Sequence, residues 1–189
     1  PGLYPVQLVV TGDNGCVSDT TIAIEIRPLV EATVLPGDTI CEDFSFPLMA
    51  AGGPIYQWTP ETALSDPGIA NPMASPSATT TYTVSVSDGC SEDTASVTVH
   101  VLPAPDAQAW PGDTSILNGV SVQLHSSGGV SYTWTPPDSL SDPLGQHPVA
   151  TPSYTTWYTV WVQGANGCGR ADSVLIRVEP RCDGFVLPN

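Results

Sequence analysis

Thr80-Thr81-Tyr82-Thr83-Val84-Ser85-Val86-Ser87 is the stretch on which the fold turns. Tyr82, Val84 and Val86 fall on every second position, with Thr81, Thr83 and Ser85 between them. Successive side chains of a β-strand point to opposite faces, so this is a strand with one buried and one wet face. The stretch returns as Thr156-Trp157-Tyr158-Thr159-Val160-Trp161-Val162-Gln163, displaced by 76 residues (Tyr82 to Tyr158). Outward from it, Trp58-Thr59-Pro60, Leu64-Ser65-Asp66-Pro67, Pro72 and Pro76 return in the same displacement as Trp134-Thr135-Pro136, Leu140-Ser141-Asp142-Pro143, Pro148 and Pro152. Further upstream, Pro36-Gly37-Asp38-Thr39 returns as Pro111-Gly112-Asp113-Thr114 after 75 residues (Pro36 to Pro111), so one residue was gained between the blocks. A repeat with this much internal order means one small domain used in tandem, an arrangement that serves reach and presentation more than chemistry.

Helical periodicity is missing. Short alternating segments broken by Pro, Gly, Asn and Asp predict an all-β chain of tandem immunoglobulin-like sandwiches. In the first full copy the expected strands are 32–35, 44–50, 55–58, 80–87 and 94–101; in the second, 107–110, 120–126, 131–134, 155–163 and 172–178. Between the Trp strand and the Tyr strand the chain is too rich in proline for a central strand. Trp58 and Trp134 fall where such sandwiches bury an aromatic from the third strand. Residues 1–27 read as the last hairpin of a truncated copy, with Tyr4, Val6, Leu8 and Val10 alternating and Asn14-Gly15-Cys16 as the turn. A lone hairpin is marginal in water, so the chain is expected to be a segment of something longer. The expected domains are 1–27, 28–102, 103–180 and, from 181 to 189, the start of something new.

Charge is one-sided: 19 acidic side chains face four arginines and no lysine, a net charge of −15. That argues against nucleic acid or an anionic membrane as partner. The absence of lysine also excludes lysine–asparagine isopeptide staples. No apolar run reaches membrane-spanning length. The five cysteines, Cys16, Cys41, Cys90, Cys168 and Cys182, form no CxxC pair, and His100, His125 and His147 are far apart in sequence. Disulfides in an oxidising, extracellular setting fit better than zinc, and no cofactor is expected.

Together, Gly-Gly-x-x-Tyr-x-Trp-Thr-Pro, Leu-Ser-Asp-Pro, Pro-x-Ala-x-Pro, Thr-Thr-x-Tyr-Thr-Val and the following Gly89-Cys90 and Gly167-Cys168 resemble the PKD-like, immunoglobulin-like repeats of large secreted proteins of the Bacteroidota. The resemblance covers essentially the whole chain. Cys182-Asp183-Gly184-Phe185-Val186-Leu187-Pro188-Asn189 resembles the entry into a gliding-motility-type C-terminal sorting domain, which directs type IX secretion. The resemblance implies an outer-surface or secreted location, an adhesin or appendage role, and no catalytic residues.

Two disulfide patterns stay open. Cys41 lies between the first and second expected strands and Cys90 at the turn before the last, at opposite poles of an immunoglobulin topology, roughly 25 Å apart for a strand of about eight residues. A disulfide needs Cα atoms within about 7 Å. This favours Cys41–Cys168 across the junction between copies, with Cys90 reaching back to the preceding copy; Ile116 stands where the second copy has lost its cysteine. The alternative is Cys41–Cys90 with Cys168–Cys182.

Trp157 and Trp161 replace Thr81 and Ser85 on the expected wet face. Packing against a following domain or a neighbouring loop is the favoured reading, and stacking on sugar rings or a subunit contact the alternative. Thr20, Thr39, Thr94, Ser139 and Ser173 each follow an aspartate in a pattern that resembles the O-glycosylation sequon of Bacteroidota secreted proteins; the plain reading is that these pairs cap turns. Asp88, Glu92 and Asp93 offer oxygen ligands to calcium, but a solvated acidic surface is the better reading. No nucleophile elbow or metal-binding pair is present, so the chain is not expected to be an enzyme.

The function expected is a non-enzymatic extracellular stalk of a large surface adhesin or filament, contacting neighbouring domains of its own chain. Alternatives are a polysaccharide-binding accessory module of a secreted hydrolase and a self-associating subunit of an extracellular fibre. If the sequons are used, mass mapping of the protein from its source finds glycan mass on peptides carrying Thr20, Thr39, Thr94, Ser139 or Ser173; unmodified mass at all of these removes the idea.

Overall fold

Alternation along the chain becomes strand after strand. The computed structural model describes residues 1–181, and every regular element among them is a β-strand. Cys182 and the segment that resembles a sorting-domain entry lie outside the described residues. In chain order the strands are β1 (Gly2–Thr11), β2 (Val17–Ile26), β3 (Thr33–Val34), β4 (Thr39–Cys41), β5 (Phe46–Pro47), β6 (Ala50–Ala51), β7 (Ile55–Thr59), β8 (Met73–Ala74), β9 (Thr80–Ser87) and β10 (Glu92–Leu102). There follow β11 (Gln108–Trp110), β12 (Thr114–Leu117), β13 (Val122–Gln123), β14 (His125–Ser127), β15 (Ser131–Thr135), β16 (Val149–Ala150), β17 (Thr156–Gln163) and β18 (Gly169–Glu179). Two compact units result: Pro1–Pro36, Pro47–Ala74 and Thr81–Val97 form the first, while Gly37–Phe46, Ser75–Thr80 and the chain from Thr98 onward form the second.

In the first unit β1 and β2 pair antiparallel from Gly2↔Ile26 to Thr11↔Val17, and the large apolar side chains Leu3, Tyr4, Val6, Leu8, Ile22, Ile24 and Ile26 are exposed. β7 pairs antiparallel with β9, and β3 with β6. Trp58, Tyr82, Val84, Val86 and Leu48 are buried, so the alternation of 82, 84 and 86 does mark an inward face.

In the second unit the sheet order is β12-β18-β17-β15. β17 pairs antiparallel with both β15 and β18, while β12 runs parallel to β18. The short pairs β11–β14 and β13–β16 form the opposing side. This is an immunoglobulin-like sandwich, with the aromatic-bearing strand beside the terminal hairpin. Ala107, Leu124, Trp134, Ala150, Tyr158, Val160, Val162, Val174 and Ile176 form one core. The same unit contains the parallel pairing of β4 with β10, in the register Leu102↔Cys41.

The proline-rich stretches explain the repeated motifs. Proline has no N–H to give to a ladder, so the chain satisfies itself locally. The Trp58 indole donates to Ile69 O at 3.0 Å, and the Trp134 indole to Gly145 O at 3.1 Å. In Leu-Ser-Asp-Pro, the serine hydroxyl accepts from the Met73 N–H at 3.0 Å and, in the other copy, from the Val149 N–H at 2.9 Å. The aspartate closes a turn by accepting from Gly68 N–H at 2.8 Å or Leu144 N–H at 3.0 Å. Proline carbonyls also stand in for a strand: Leu48 N–H donates to Pro72 O and Leu124 N–H to Pro148 O, both at 2.9 Å.

The expected strand 44–50 is broken into β5 and β6, and 120–126 becomes β13 and the start of β14. Gly52 and Gly128 follow these breaks with φ of +133° and +103°, each against a backbone carbonyl, Glu31 O and Asp106 O, with no room for a Cβ. Gly128→Ala is therefore expected to destabilise the fold by about 2–4 kcal/mol, whereas Gly112→Ala, which meets open space, is expected to be near neutral. Trp134→Ala is expected to cost about 3–5 kcal/mol. Urea unfolding of the three variants checks the order.

Candidate functional site

The clearest constellation lies in the second unit, around a short acidic loop after β4. Parallel pairing with β10 carries Cys41 to the end of that strand. Beyond it, Glu42 N–H donates to Leu102 O at 2.9 Å, and the Glu42 carboxylate accepts from Ala104 N–H at 3.3 Å. Across from it stands the β17–β18 hairpin tip, where Cys168 N–H donates to Asn166 Oδ1 at 3.1 Å and Asn166 Nδ2 to Pro103 O at 2.8 Å. Cys41 and Cys168 are joined as a disulfide, with Cα atoms 5.5 Å apart. Arg170 completes the clamp, its guanidinium 2.8 Å from Asp43 and 3.3 Å from Glu42. Its hydrogen bond to Asp43 raises its pKa further, so the charge is permanent. Linker 102–105 is thus held by a covalent bond, backbone hydrogen bonds and an ion-pair cluster.

The remaining cysteines sit on tips of the same build. Cys16 N–H donates to Asn14 Oδ1 at 3.2 Å and Cys90 N–H to Asp88 Oδ1 at 2.9 Å; both thiols are free and exposed. Cys182 lies outside the described residues.

Trp157 and Trp161 are 56% and 46% exposed, on the outward face of β17. Trp161 lies over Gly169, whose lack of a Cβ makes room for the ring. Four residues along a strand set the two indoles roughly 13 Å apart at their Cα atoms. Of the sequon positions, Thr20, Thr39, Thr94, Ser139 and Ser173 are all exposed, and the Ser173 hydroxyl is paired with Thr159 at 2.8 Å. Asp38 and Asp172 accept from the following N–H at 2.7 and 2.8 Å, but Asp19, Asp93 and Asp172 lie within β2, β10 and β18, so turn capping does not account for these three pairs.

The three acidic candidates for calcium are engaged separately. Asp88 accepts from Ser91 and Cys90 N–H groups, Glu92 from the Ser85 hydroxyl, and Asp93 from Ala32 N–H at 2.9 Å. Bonds from Ala32 and then Thr94 hold the Asp93 pKa below its usual value. No group of three or more metal-binding side chains occurs among the described residues.

One cluster escaped the sequence. Trp110 stacks on His125 with ring centroids 5.5 Å apart, and His125 meets His147 edge-on, Nδ1 to Nδ1 at 3.1 Å. The β11–β14 register, Trp110↔His125, makes the first contact; linear spacing carried no sign of it.

No protein-family model matches the chain, and no curated protein matches it significantly. Among solved structures it is similar to a three-domain immunoglobulin fragment of titin, at 11% identity over 95% of this chain and 75% of that one, TM-score 0.44. It is also similar to Sidekick-1 immunoglobulin domains 1–5 (15% identity, 95% and 46%, TM-score 0.39) and to Drosophila OTK extracellular domains 3–5 (9%, 94% and 71%, TM-score 0.37). Scores of this size carry no functional weight.

Replacing Cys41 and Cys168 by serine opens a closed stretch of 127 residues in sequence separation, and is expected to cost about 2–5 kcal/mol in urea unfolding. The Asp93 effect has a sign. A depressed carboxyl pKa contributes stability at neutral pH that is lost as pH falls below about 4 and through the folded value. Asp93→Asn is expected to flatten the acid limb of stability against pH below about 4.

Proposed function

We propose that this chain is a non-enzymatic extracellular spacer, with the last hairpin of one immunoglobulin-like, PKD-like domain at 1–27, two such domains at 28–102 and 103–180, and the start of a C-terminal sorting domain or a linker at 181–189. The observation that carries the reading is the Cys41–Cys168 clamp on linker 102–105. A covalent bond, a proline-bearing linker and an ion-pair cluster at one place spend the strongest available interactions on holding a junction, which is what a spacer under load requires. Disulfides persist in oxidising compartments, and a charge of −15 keeps such a chain soluble at a surface. The motif resemblance supports a place in a type IX-secreted adhesin or filament of the Bacteroidota.

The exposed pair Trp157 and Trp161 supports a second reading, a polysaccharide-binding accessory module of a secreted hydrolase. Indoles on an exposed strand face offer flat apolar surface to sugar rings.

Single-molecule stretching separates the two. The bridge removes the chain between Cys41 and Cys168 from the load path, so reduction is expected to add roughly 420–460 Å to the fully extended length, about 3.3–3.6 Å per residue. Equal extension before and after reduction would sink the spacer reading. A glycan array on which the chain binds, and loses binding in Trp157→Ala with Trp161→Ala, favours the module.

A further inference from the structure

The clamp around Cys168 has a second edition in the first unit. Repeat alignment places Arg27-Pro28-Leu29-Val30 where the later copy has Leu102-Pro103-Ala104-Pro105, a displacement of 75 residues (Pro28 to Pro103), and Cys90 where it has Cys168. These residues enclose a cavity of about 310 Å³ lined by Glu25, Arg27, Pro28, Leu29, Asp88 and Cys90. Its walls are tied together, since Val30 N–H donates to the Ser91 hydroxyl at 3.0 Å. In the later copy the corresponding linker and tip hold the loop Cys41-Glu42-Asp43. β2, the counterpart of β10, has β1 on one side, which leaves its other edge for a parallel strand like β4.

Charge differs between the two editions: tip and linker sum to +1 in the later clamp and to zero in the earlier one. The later clamp has Arg170 on the tip and Leu102 on the linker; the cavity has Glu92 on the tip and Arg27 on the linker. Arg27 lies 2.7 Å from Glu25 and is more than half exposed, while the Asp88 carboxylate is turned to the backbone N–H groups of Cys90 and Ser91. Arg27 is thus the cation in the cavity lining, and an incoming acidic loop would share it with Glu25.

We propose that this cavity is a docking seat for a loop of the Cys41-Glu42-Asp43 kind, a cysteine followed by carboxylates, carried by a preceding repeat of the same protein, and that Cys90 forms a disulfide with its cysteine. The repeats are then joined in series, each hairpin tip bonded to the acidic loop of the domain before it. Forming the bond removes two electrons and two protons from the two thiols; a disulfide-type oxidant accepts them and leaves as a dithiol. The proposal goes beyond the spacer reading, which stands with Cys90 free.

The test uses the chain itself and a peptide of residues 37–46 whose cysteine is activated as a mixed disulfide with thionitrobenzoate. Cys90 thiolate attacks the peptide sulfur and releases the coloured thiolate. Cys90 is read in a chain carrying Cys16→Ser with Cys182→Ser, and Cys16 in one carrying Cys90→Ser with Cys182→Ser. Docking raises the local concentration of the peptide, so Cys90 is expected to react at least about ten-fold faster than Cys16. The advantage is expected to vanish in Arg27→Glu and with a peptide carrying Glu42→Gln and Asp43→Asn. Equal rates at the two cysteines, or an advantage untouched by either change, would overturn the seat. Non-reducing peptide mapping of the protein from its source is expected to recover Cys90 bonded to another cysteine peptide with acidic residues after the cysteine; Cys90 recovered as a free thiol would overturn the bond.

Discussion

Each full repeat depends on an indole that is buried yet still donates a hydrogen bond. Trp58 and Trp134 fill the interior beside the Tyr strand, and each reaches a carbonyl eleven residues on in the proline-rich stretch. That one contact solves two problems. Burial of a large aromatic supplies much of the apolar area a unit of this size has to offer. The N–H bond, in turn, pins a stretch that cannot join the ladder because its prolines lack donors. Ser65 and Asp66, with Ser141 and Asp142, complete the satisfaction of that loop by side-chain bonds. The repeated words of the sequence are thus a hydrogen-bond circuit, copied whole.

A sandwich closed in this way leaves its ends free to differ, and the differences gather at the hairpin tips. All three tips turn on an Asx side chain that receives the cysteine N–H. What changes is the neighbourhood: Arg170 faces Glu42 and Asp43 at the Cys168 tip, and Arg27 lies by the Cys90 tip. The tips are therefore where the repeats differ most in thiol state and in neighbouring charge.

Much of this was legible. Alternation at Tyr82, Val84 and Val86 marked a half-buried strand, and the buried tryptophans followed from their place before the proline-rich stretch. The short strands β4 and β12 were not legible, because three or four residues carry no periodic signal and their pairing is parallel to a strand far along the chain. The break between β5 and β6 was hidden for a related reason: an apolar run of the right length reads as one strand, whatever the backbone does at its centre. The Trp110–His125–His147 cluster was invisible, since register across two strands, not spacing along one, brings those rings together.

By itself, then, the sequence determined the all-β class, the repeat, the inward face of the Tyr strand in each full repeat and the set of cysteines able to pair. These follow from local rules: side-chain period, proline's missing donor and the count of thiols. Only the tertiary structure decided that Cys41 meets Cys168. Parallel pairing of β4 with β10 carries that cysteine to the end of the repeat, and long-range register cannot be read from residues that are neighbours only in space.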